Sequence, residues 1–334
     1  MKVIEMRKTG GPEVLTLTER AVPARSSPTG LLVRLKAAGI NPVDTKLRAR
    51  GVLVPGGLPA VLGCDGAGVV EAVGEAVLRF KPGDPVWFCH GGLGGPEGNY
   101  AEYALVDEGI AQPKPGSLDF VHAAAAPLVL ITAWEALYDR ADADLAEGKR
   151  VLIHAGAGGV GHVAIQLARL AGARVCTTVS SPRKAELVRA LGAECVINYQ
   201  EEDLVKVVMD WTEGKGVDVA LDTVGPAVFA RTVPAMACYG DLVTILQPGP
   251  DQDWKEFRNR NLRIGFEWML APMLYEQPAA RAHQGEILHR CAQWIDTGEL
   301  RIRVSETFPL DQVAVAHKRI EAGHTQGKLV LTME

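Results

Sequence analysis

The sequence predicts an α/β protein in which a doubly wound parallel sheet is inserted into an irregular β domain, and three observations predict it. The first third of the chain is made of short runs of β-formers between Gly and Pro turns: Val14 to Thr18, Leu31 to Ala37, Gly68 to Val73 and Pro85 to Phe88. From about Gly148, apolar runs of four to six residues alternate with helical stretches, the pattern of repeated βαβ units. The tail returns to β character in Arg301 to Val304 and Lys328 to Thr332, around a helix from Leu310 to Ala322, and is expected to rejoin the first domain.

The parallel strands are expected at Arg150 to His154, Ala173 to Val179, Cys195 to Asn198, Val217 to Asp222 and Gly240 to Leu246. Between them, Val163, Leu167 and Leu170, then Leu187, Val188 and Leu191, fall at helical spacing and would face the sheet. A chain of 334 residues suits about two domains, and 47% hydrophobic with 22% charged residues is a globular balance. A net charge of −5 offers no general attraction to nucleic acid or to anionic membrane. The apolar run Ala123 to Trp134 contains Pro127 and is too short to span a bilayer, which takes about 20 residues. Met1 to Arg7 reads as a strand and not as a secretion signal, so a cytoplasmic protein acting on a small molecule is expected. The cysteines Cys64, Cys89, Cys176, Cys195, Cys238 and Cys291 show no CxxC spacing, and most read as small buried apolar residues.

Gly156, Gly158 and Gly161 form G-x-G-x-x-G directly after the strand Val151 to His154 and directly before a helix. In that context the first glycine permits a tight turn, the second lets backbone approach a pyrophosphate, and the third lets helix and strand pack closely. The phosphates would sit on the helix N-terminus, on the backbone of Gly158, Gly159, Val160 and Gly161, where unpaired N–H groups favour an anion. NAD sites carry an acidic residue at the end of the second strand, yet none occurs from His162 to Ala185. The strand ends instead in Thr178-Val-Ser-Ser-Pro-Arg-Lys184, where Ser180, Ser181, Arg183 and Lys184 suit an extra phosphate, so NADPH is the expected cofactor. Ser181 before Pro182 also reads as a plain helix cap.

The chain resembles the medium-chain dehydrogenase/reductase superfamily, in its zinc-free, zeta-crystallin-like quinone oxidoreductase branch. The resemblance covers nearly the whole chain. It rests on Ala38-Gly-Ile-Asn-Pro-Val-Asp44, Gly63-Cys-Asp-Gly-Ala-Gly68, Phe80-Lys-Pro-Gly-Asp84, Tyr100-Ala-Glu-Tyr103, Leu130-Ile-Thr-Ala-Trp134, the glycine fingerprint, Val196-Ile-Asn-Tyr199, Asp222-Thr-Val-Gly225 and Gly327-Lys-Leu-Val-Leu331. It implies a GroES-like irregular β-barrel catalytic domain over residues 1–122 and 300–334, a doubly wound Rossmann NADPH-binding domain over 123–299, and a homodimer. Where zinc members carry a Cys, a His with a neighbouring Glu, and a second Cys, this chain has Asn41, Cys64 with Asp65, and Leu128. That set cannot make a three-ligand open zinc site, so no metal is expected. Asp65, if buried, needs a cation partner that the sequence does not identify.

Without a Lewis acid, the acceptor has to delocalise the arriving charge itself. The expected reaction is therefore metal-independent hydride transfer from NADPH to a quinone or an α,β-unsaturated carbonyl. The resemblance places the turn Asn41-Pro-Val-Asp44 at the nicotinamide, with Asn41 as a hydrogen-bond donor, Asp44 orienting it or relaying a proton, and Lys46 as a cation near a developing enolate. Each also has a plain reading, as turn chemistry for Asn41 and Asp44 and as a solvated lysine for Lys46. Tyrosines that quinone reductases carry nearby are replaced by Lys46 and Val52, which leaves the native substrate open. The resemblance adds Thr132, Tyr199, Asp222, Val224, Gly327 and Lys328 as cofactor contacts. The aromatic stretch from Trp254 to Tyr275 fits a substrate pocket, a dimer contact or a core helix. Two other functions stay open at this point: a zinc alcohol dehydrogenase with atypical ligands, and a non-enzymatic NADPH-binding redox sensor.

Overall fold

The computed structural model describes residues 1–24, 27–141, 145–250 and 252–333. Its strands are β1 (Lys2–Met6), β2 (Leu15–Glu19), β3 (Gly30–Ile40), β4 (Asp65–Val73), β5 (Pro85–Cys89), β6 (Tyr103–Asp107), β7 (Gln112–Pro113), β8 (Arg150–Ile153), β9 (Arg174–Val179), β10 (Cys195–Asn198), β11 (Val217–Asp222), β12 (Met236–Thr244), β13 (Arg263–Phe266), β14 (Val304–Pro309) and β15 (Lys328–Thr332). The chain divides into two compact units. One comprises Met1–Leu128, Leu270–Gly298 and Ile302–Glu334, and the other comprises Val129–Met269 with Glu299–Arg301.

The first unit is built on a seven-stranded sheet, six strands in the order β14-β15-β3-β4-β5-β7 and a seventh, β6, paired with β3 off that path. Its spine is β3, which pairs with β4 along one edge and changes partner along the other, from β6 at Gly30–Arg34 to β15 at Ala37–Ile40. Bulges between Leu32 and Val33 and between Leu35 and Ala37 accommodate the bend. Gly68 is required by this crossing, since a Cβ there would lie 2.2 Å from the Arg34 carbonyl oxygen. Trp87, Phe88 and Tyr100 are fully buried in its core.

The second unit is an all-parallel sheet in the order β10-β9-β8-β11-β12-β13, whose strand order reverses between β8 and β11. It is the doubly wound arrangement the sequence predicts, with one more strand. The four residues Arg263–Phe266 at the edge are half-exposed and interrupted by Gly265, which is why no apolar run announced them. The fifth strand starts earlier than its apolar run, at Met236, and stops at Thr244 because the Thr244 hydroxyl accepts the Leu246 N–H at 3.1 Å and turns the chain. Among the described residues no helix is long and apolar enough to cross a membrane.

The expected domain limits of 123–299 and 300–334 shift. Leu270–Gly298 groups with the first unit, where Arg281 donates to the Cys89 carbonyl at 2.7 Å and Asp296 accepts the Gly116 and Ser117 N–H groups. Arg301 belongs to the second unit and is no strand. Its N–H donates to Gln166 Oε1 at 2.8 Å and its carbonyl accepts from Gln166 Nε2 at 3.0 Å, so the tail strand begins only at Val304.

Phe229 anchors the second unit's core, wholly buried and stacked on Phe257 with ring centroids 5.4 Å apart. Phe229→Ala is expected to cost about 3–5 kcal/mol of that unit's stability. Chemical denaturation followed by far-UV circular dichroism checks this, and a cost below about 1 kcal/mol would contradict the assigned core.

Candidate functional site

Two clusters of predicted residues form, one in each unit. In the second unit the chain leaves β8 through His154 and Ala155, and Ala155 takes the strained left-handed conformation, φ 50°. Its N–H is held by the Thr178 hydroxyl at 3.0 Å, and the Gly156 N–H donates to the Thr178 carbonyl at 3.1 Å. The tight turn is therefore borne by Ala155, and Gly156 serves a different need. A Cβ at Gly156 would lie 2.1 Å from Thr177 Oγ1, so glycine lets the turn press against β9. At Gly161 a Cβ would lie 2.3 Å from the Ala155 carbonyl oxygen, the close helix packing the fingerprint demands. Gly158 caps the helix Gly159–Leu170 with no side-chain hydrogen bond, leaving the first-turn N–H groups, including those of Gly159 and Val160, without a side-chain cap. The cradle fits a pyrophosphate.

The end of β9 gathers the next candidates. Lys184 Nζ donates to Ser180 Oγ at 2.9 Å, and the Tyr199 N–H donates to the Val179 carbonyl at 3.1 Å, which brings the start of the loop after β10 beside Ser180. Ser181 is the cap of the helix Pro182–Ala190, accepting the Lys184 N–H at 3.4 Å, while Arg183 stays exposed. Tyr199 and Val224 are about half exposed. Asp222 differs from the expectation of a ligand contact. It is fully buried and accepts from the Val224 and Gly225 N–H groups at 2.9 and 3.0 Å and from Thr244 Oγ1 at 2.9 Å, so its carboxylate shapes the turn that presents Val224. Thr132 is buried in the helix Pro127–Trp134. His154 is buried, bonded to Thr232 Oγ1, and pushed down to about 4 by burial and then by Arg231.

In the first unit Asn41 caps the helix Pro42–Arg50 and Asp44 closes the capping box, its Oδ2 accepting the Asn41 N–H at 2.8 Å. The Asn41 amide is pinned at both ends. Its Nδ2 donates to Asp65 Oδ2 at 2.9 Å, and its Oδ1 accepts from Lys328, whose ammonium also donates to the Ile40 carbonyl at 3.0 Å and lies 3.6 Å from Asp65 Oδ2. The other Asp65 oxygen accepts the Leu128 N–H at 2.7 Å. Lys328 is thus the cation that buried Asp65 requires. Gly327, at φ 83°, delivers it where any Cβ would strike the Arg303 carbonyl. Burial pushes Asp65 up and Lys328 down, each opposed mainly by the other's charge. Cys64 is fully buried, and burial holds its thiol well above its ordinary value. Lys46 stands on the exposed side of its helix.

Asp44 leads to residues the sequence reading did not assign. Tyr100 Oη donates to Asp44 Oδ2 at 2.8 Å and lies 3.2 Å from His317 Nε2, while Arg48 lies 3.3 Å from His317 Nδ1 and is salt-bridged to Glu321 at 2.6 Å. The single tyrosine hydrogen is spent on Asp44, so His317 must donate from Nε2 and accept from Arg48 at Nδ1, which fixes a neutral tautomer. Burial, with Arg48 beside it, pushes His317 down to about 3, in agreement. Asp44 Oδ1 is buried and has no hydrogen-bond partner among the described residues. Tyr100 lies in a motif that the family resemblance used; nothing local marked His317, Arg48 or Glu321.

The aromatic stretch splits between uses. Trp254 and Phe257 pack with Phe229 in the second unit, whereas Met273 lines a first-unit pocket of about 530 Å³ with Ile110, Pro272, Ala282 and Arg281.

Residues 27–116 match the alcohol dehydrogenase GroES-like domain, and residues 191–331 match a domain described as zinc-binding dehydrogenase. The quinone oxidoreductase of Pseudomonas aeruginosa is 35% identical, covering 99% of both chains. This chain belongs to the quinone oxidoreductase branch of the medium-chain dehydrogenase/reductase superfamily. A 2-haloacrylate reductase of a Burkholderia species is 34% identical over 98% of this chain and 97% of its own. The crystal structure of Escherichia coli quinone oxidoreductase complexed with NADPH superposes with a TM-score of 0.87 at 31% identity, covering 100% of both chains. The protein is accordingly an oxidoreductase of this superfamily, with its GroES-like and Rossmann parts.

Burial raises Asp44 to about 7, against the hydrogen bonds from Asn41 and Tyr100. The folded protein therefore keeps a proton that the unfolded chain has released above its ordinary 3.8. The stability this proton supplies is complete below that value and is lost as pH rises through about 7. Asp44→Asn removes the loss, so its stability relative to the parent should climb across that window and level off above it. Urea denaturation at a series of pH values reads this; a difference that is flat or falls with pH would refute it.

Proposed function

We propose that the protein transfers a hydride from NADPH to a quinone or an α,β-unsaturated carbonyl without a metal ion. The observation that carries the metal-free reading is the Lys328 ammonium, seated among the Ile40 carbonyl, Asn41 Oδ1 and Asp65. A divalent ion ligated by Asn41 or Asp65 would have to displace this cation or sit against it. The remaining matched positions offer a buried, protonated Cys64 and, from Leu128, an N–H already given to Asp65. This set does not fit zinc, although one matching domain carries zinc binding in its description.

NADPH, when bound, supplies the hydride. The chain's own residues hold it: Gly156, Gly158, Gly159, Val160 and Gly161 receive the pyrophosphate, and Ser180, Lys184, Arg183 and Tyr199 receive the 2′-phosphate. Support comes from the helix N-terminus at Gly158, which has no side-chain cap, and from the Lys184–Ser180 pair at a strand end without an acid. The related E. coli structure holds NADPH. On the acceptor side, a conjugated system would carry the developing charge to its own oxygen, and Asp44, wholly buried beside the Asn41 cap, is the candidate proton relay that completes reduction. Asn41 acts as a positioning residue between Asp65, Lys328 and Asp44. The relative named 2-haloacrylate reductase has a conjugated acid as its named substrate. The copies of a homodimer would meet along the edge strand β13, whose Phe266 and neighbouring Trp268 are exposed.

The deciding experiment measures loss of reduced nicotinamide by the protein after exhaustive chelation, against quinones, enones and enals. Undiminished turnover is expected, with NADPH favoured over NADH by at least about tenfold, or about 1.4 kcal/mol. Lys184→Ala should lower kcat/KM for NADPH about tenfold and leave NADH unchanged. Activity abolished by chelation and restored by zinc, or a preference for NADH, would overturn the reading. Phe266→Asp should shift the mass measured by light scattering from dimer to monomer; a parent that is already monomeric would sink the edge contact.

A further inference from the structure

Cys176 and Cys195 stand directly opposite one another on the neighbouring parallel strands β9 and β10. Opposed residues on adjacent strands project to the same face, and strand spacing of about 4.7–4.9 Å lies inside the range of roughly 4.4–6.8 Å that a disulfide tolerates between Cα atoms. Both face the core of Leu152, Ile197, Leu204 and Val208, with Cys176 fully buried and Cys195 at the rim, partly open to solvent. Both are free thiols.

We propose that Cys195 and Cys176 are a peroxide-reactive dithiol that closes to a disulfide across β9 and β10. Cys195 is the attacking sulfur, because it is the reachable one and the one whose thiolate is favoured. Its contact with the Cys176 thiol, and after it Arg189, lowers it against burial and the charges of Glu202 and Glu194, while the same contact and burial hold Cys176 well up. The Cys195 thiolate attacks one peroxide oxygen, the O–O bond breaks, and the departing oxygen leaves as water or alcohol after taking up a proton. Cys195 is then a sulfenic acid. Cys176 sulfur attacks Cys195 Sγ, its proton goes to the leaving hydroxide, and water departs. In sum, two thiols and one peroxide give one disulfide, water, and a second water or an alcohol. Two electrons pass from sulfur to oxygen. The inference stands on the second unit alone and holds whichever cofactor and acceptor the protein uses.

The test treats the reduced full-length protein with a few equivalents of hydrogen peroxide, caps remaining thiols with iodoacetamide and maps the peptides by mass. The expected product is the Cys176 peptide joined to the Cys195 peptide, two hydrogens lighter than their sum and separated again by dithiothreitol. Cys195→Ser should abolish the link. Cys176→Ser should also abolish it and instead leave Cys195 labelled by dimedone, a sulfenic-acid trap, which separates the two roles. The proposal fails if Cys176 and Cys195 are both recovered alkylated while exposed Cys238 oxidises. It fails equally if the parent carries Cys195 on to sulfinic acid with no linked peptide.

Discussion

The buried ammonium of Lys328 is the constraint on which the first unit's site depends. A lone charge taken out of water costs many kcal/mol, and here the cost is offset by two oxygens from β3 and the cap that follows it, and by Asp65 at the start of β4. Sheet register makes this possible. Leu329 opposes Ile40 across the β15–β3 ladder, which carries Lys328 to the turn holding Asn41, and a slip of one residue would send it to the opposite face. The residue between the two charges must accept from an ammonium and donate to a carboxylate at once. Among short side chains an amide meets both demands in one plane, so Asn41 is dictated by charge bookkeeping as much as by turn geometry.

The same cap sets the state of Asp44. One of its oxygens accepts two hydrogen bonds and the other accepts none among the described residues, so a proton on that carboxyl resides at Oδ1. The direction of the chain behind it is fixed from the far end. Arg48 cannot accept, therefore His317 must accept at Nδ1 and donate at Nε2, and Tyr100 must pass its own hydrogen to Asp44. A network with a single consistent donor order orients its last member rigidly. The two donors to Oδ2 favour the ionised carboxylate, and burial outweighs them, so the carboxyl is still raised.

Much of the fold was legible because parallel strands buried on both faces leave uninterrupted apolar runs. Val217–Asp222 appears in the structure at the limits the sequence predicts, and so does Cys195–Asn198, although that edge strand is only partly buried. What escaped were features without a local signature, such as the half-exposed edge strand β13 and the allegiance of Leu270–Gly298, which rests on polar ties to Cys89 and Ser117. The site divides in the same way. Asn41 and Asp44 stand in one short turn motif, Asn41-Pro-Val-Asp44, that the sequence singles out. His317 lies 217 residues from Tyr100 and 269 from Arg48, and no pattern in the chain between them links the three. The glycine fingerprint was readable as a motif but not in its division of labour. That Ala155 carries the strain while Gly156 clears Thr177 depends on how closely β9 approaches.

In the second unit, topology gathers the candidate cofactor groups, since an all-parallel sheet brings every strand's carboxyl end to one edge. The glycine turn after β8, Ser180 after β9 and Tyr199 after β10 are therefore neighbours by construction. Electrostatics then separates the two dinucleotides. Two unit charges about 4 Å apart near a protein surface attract by about 4 kcal/mol before desolvation and screening, and exposed pairs retain only a fraction, about 1 kcal/mol or less. Lys184 is half-buried and held by Ser180, whereas Arg183 is exposed, so the larger share of any discrimination falls to Lys184. An acidic side chain at this strand end would reverse the preference by repelling the phosphate and accepting from a ribose hydroxyl, and the run from His162 to Ala185 supplies none.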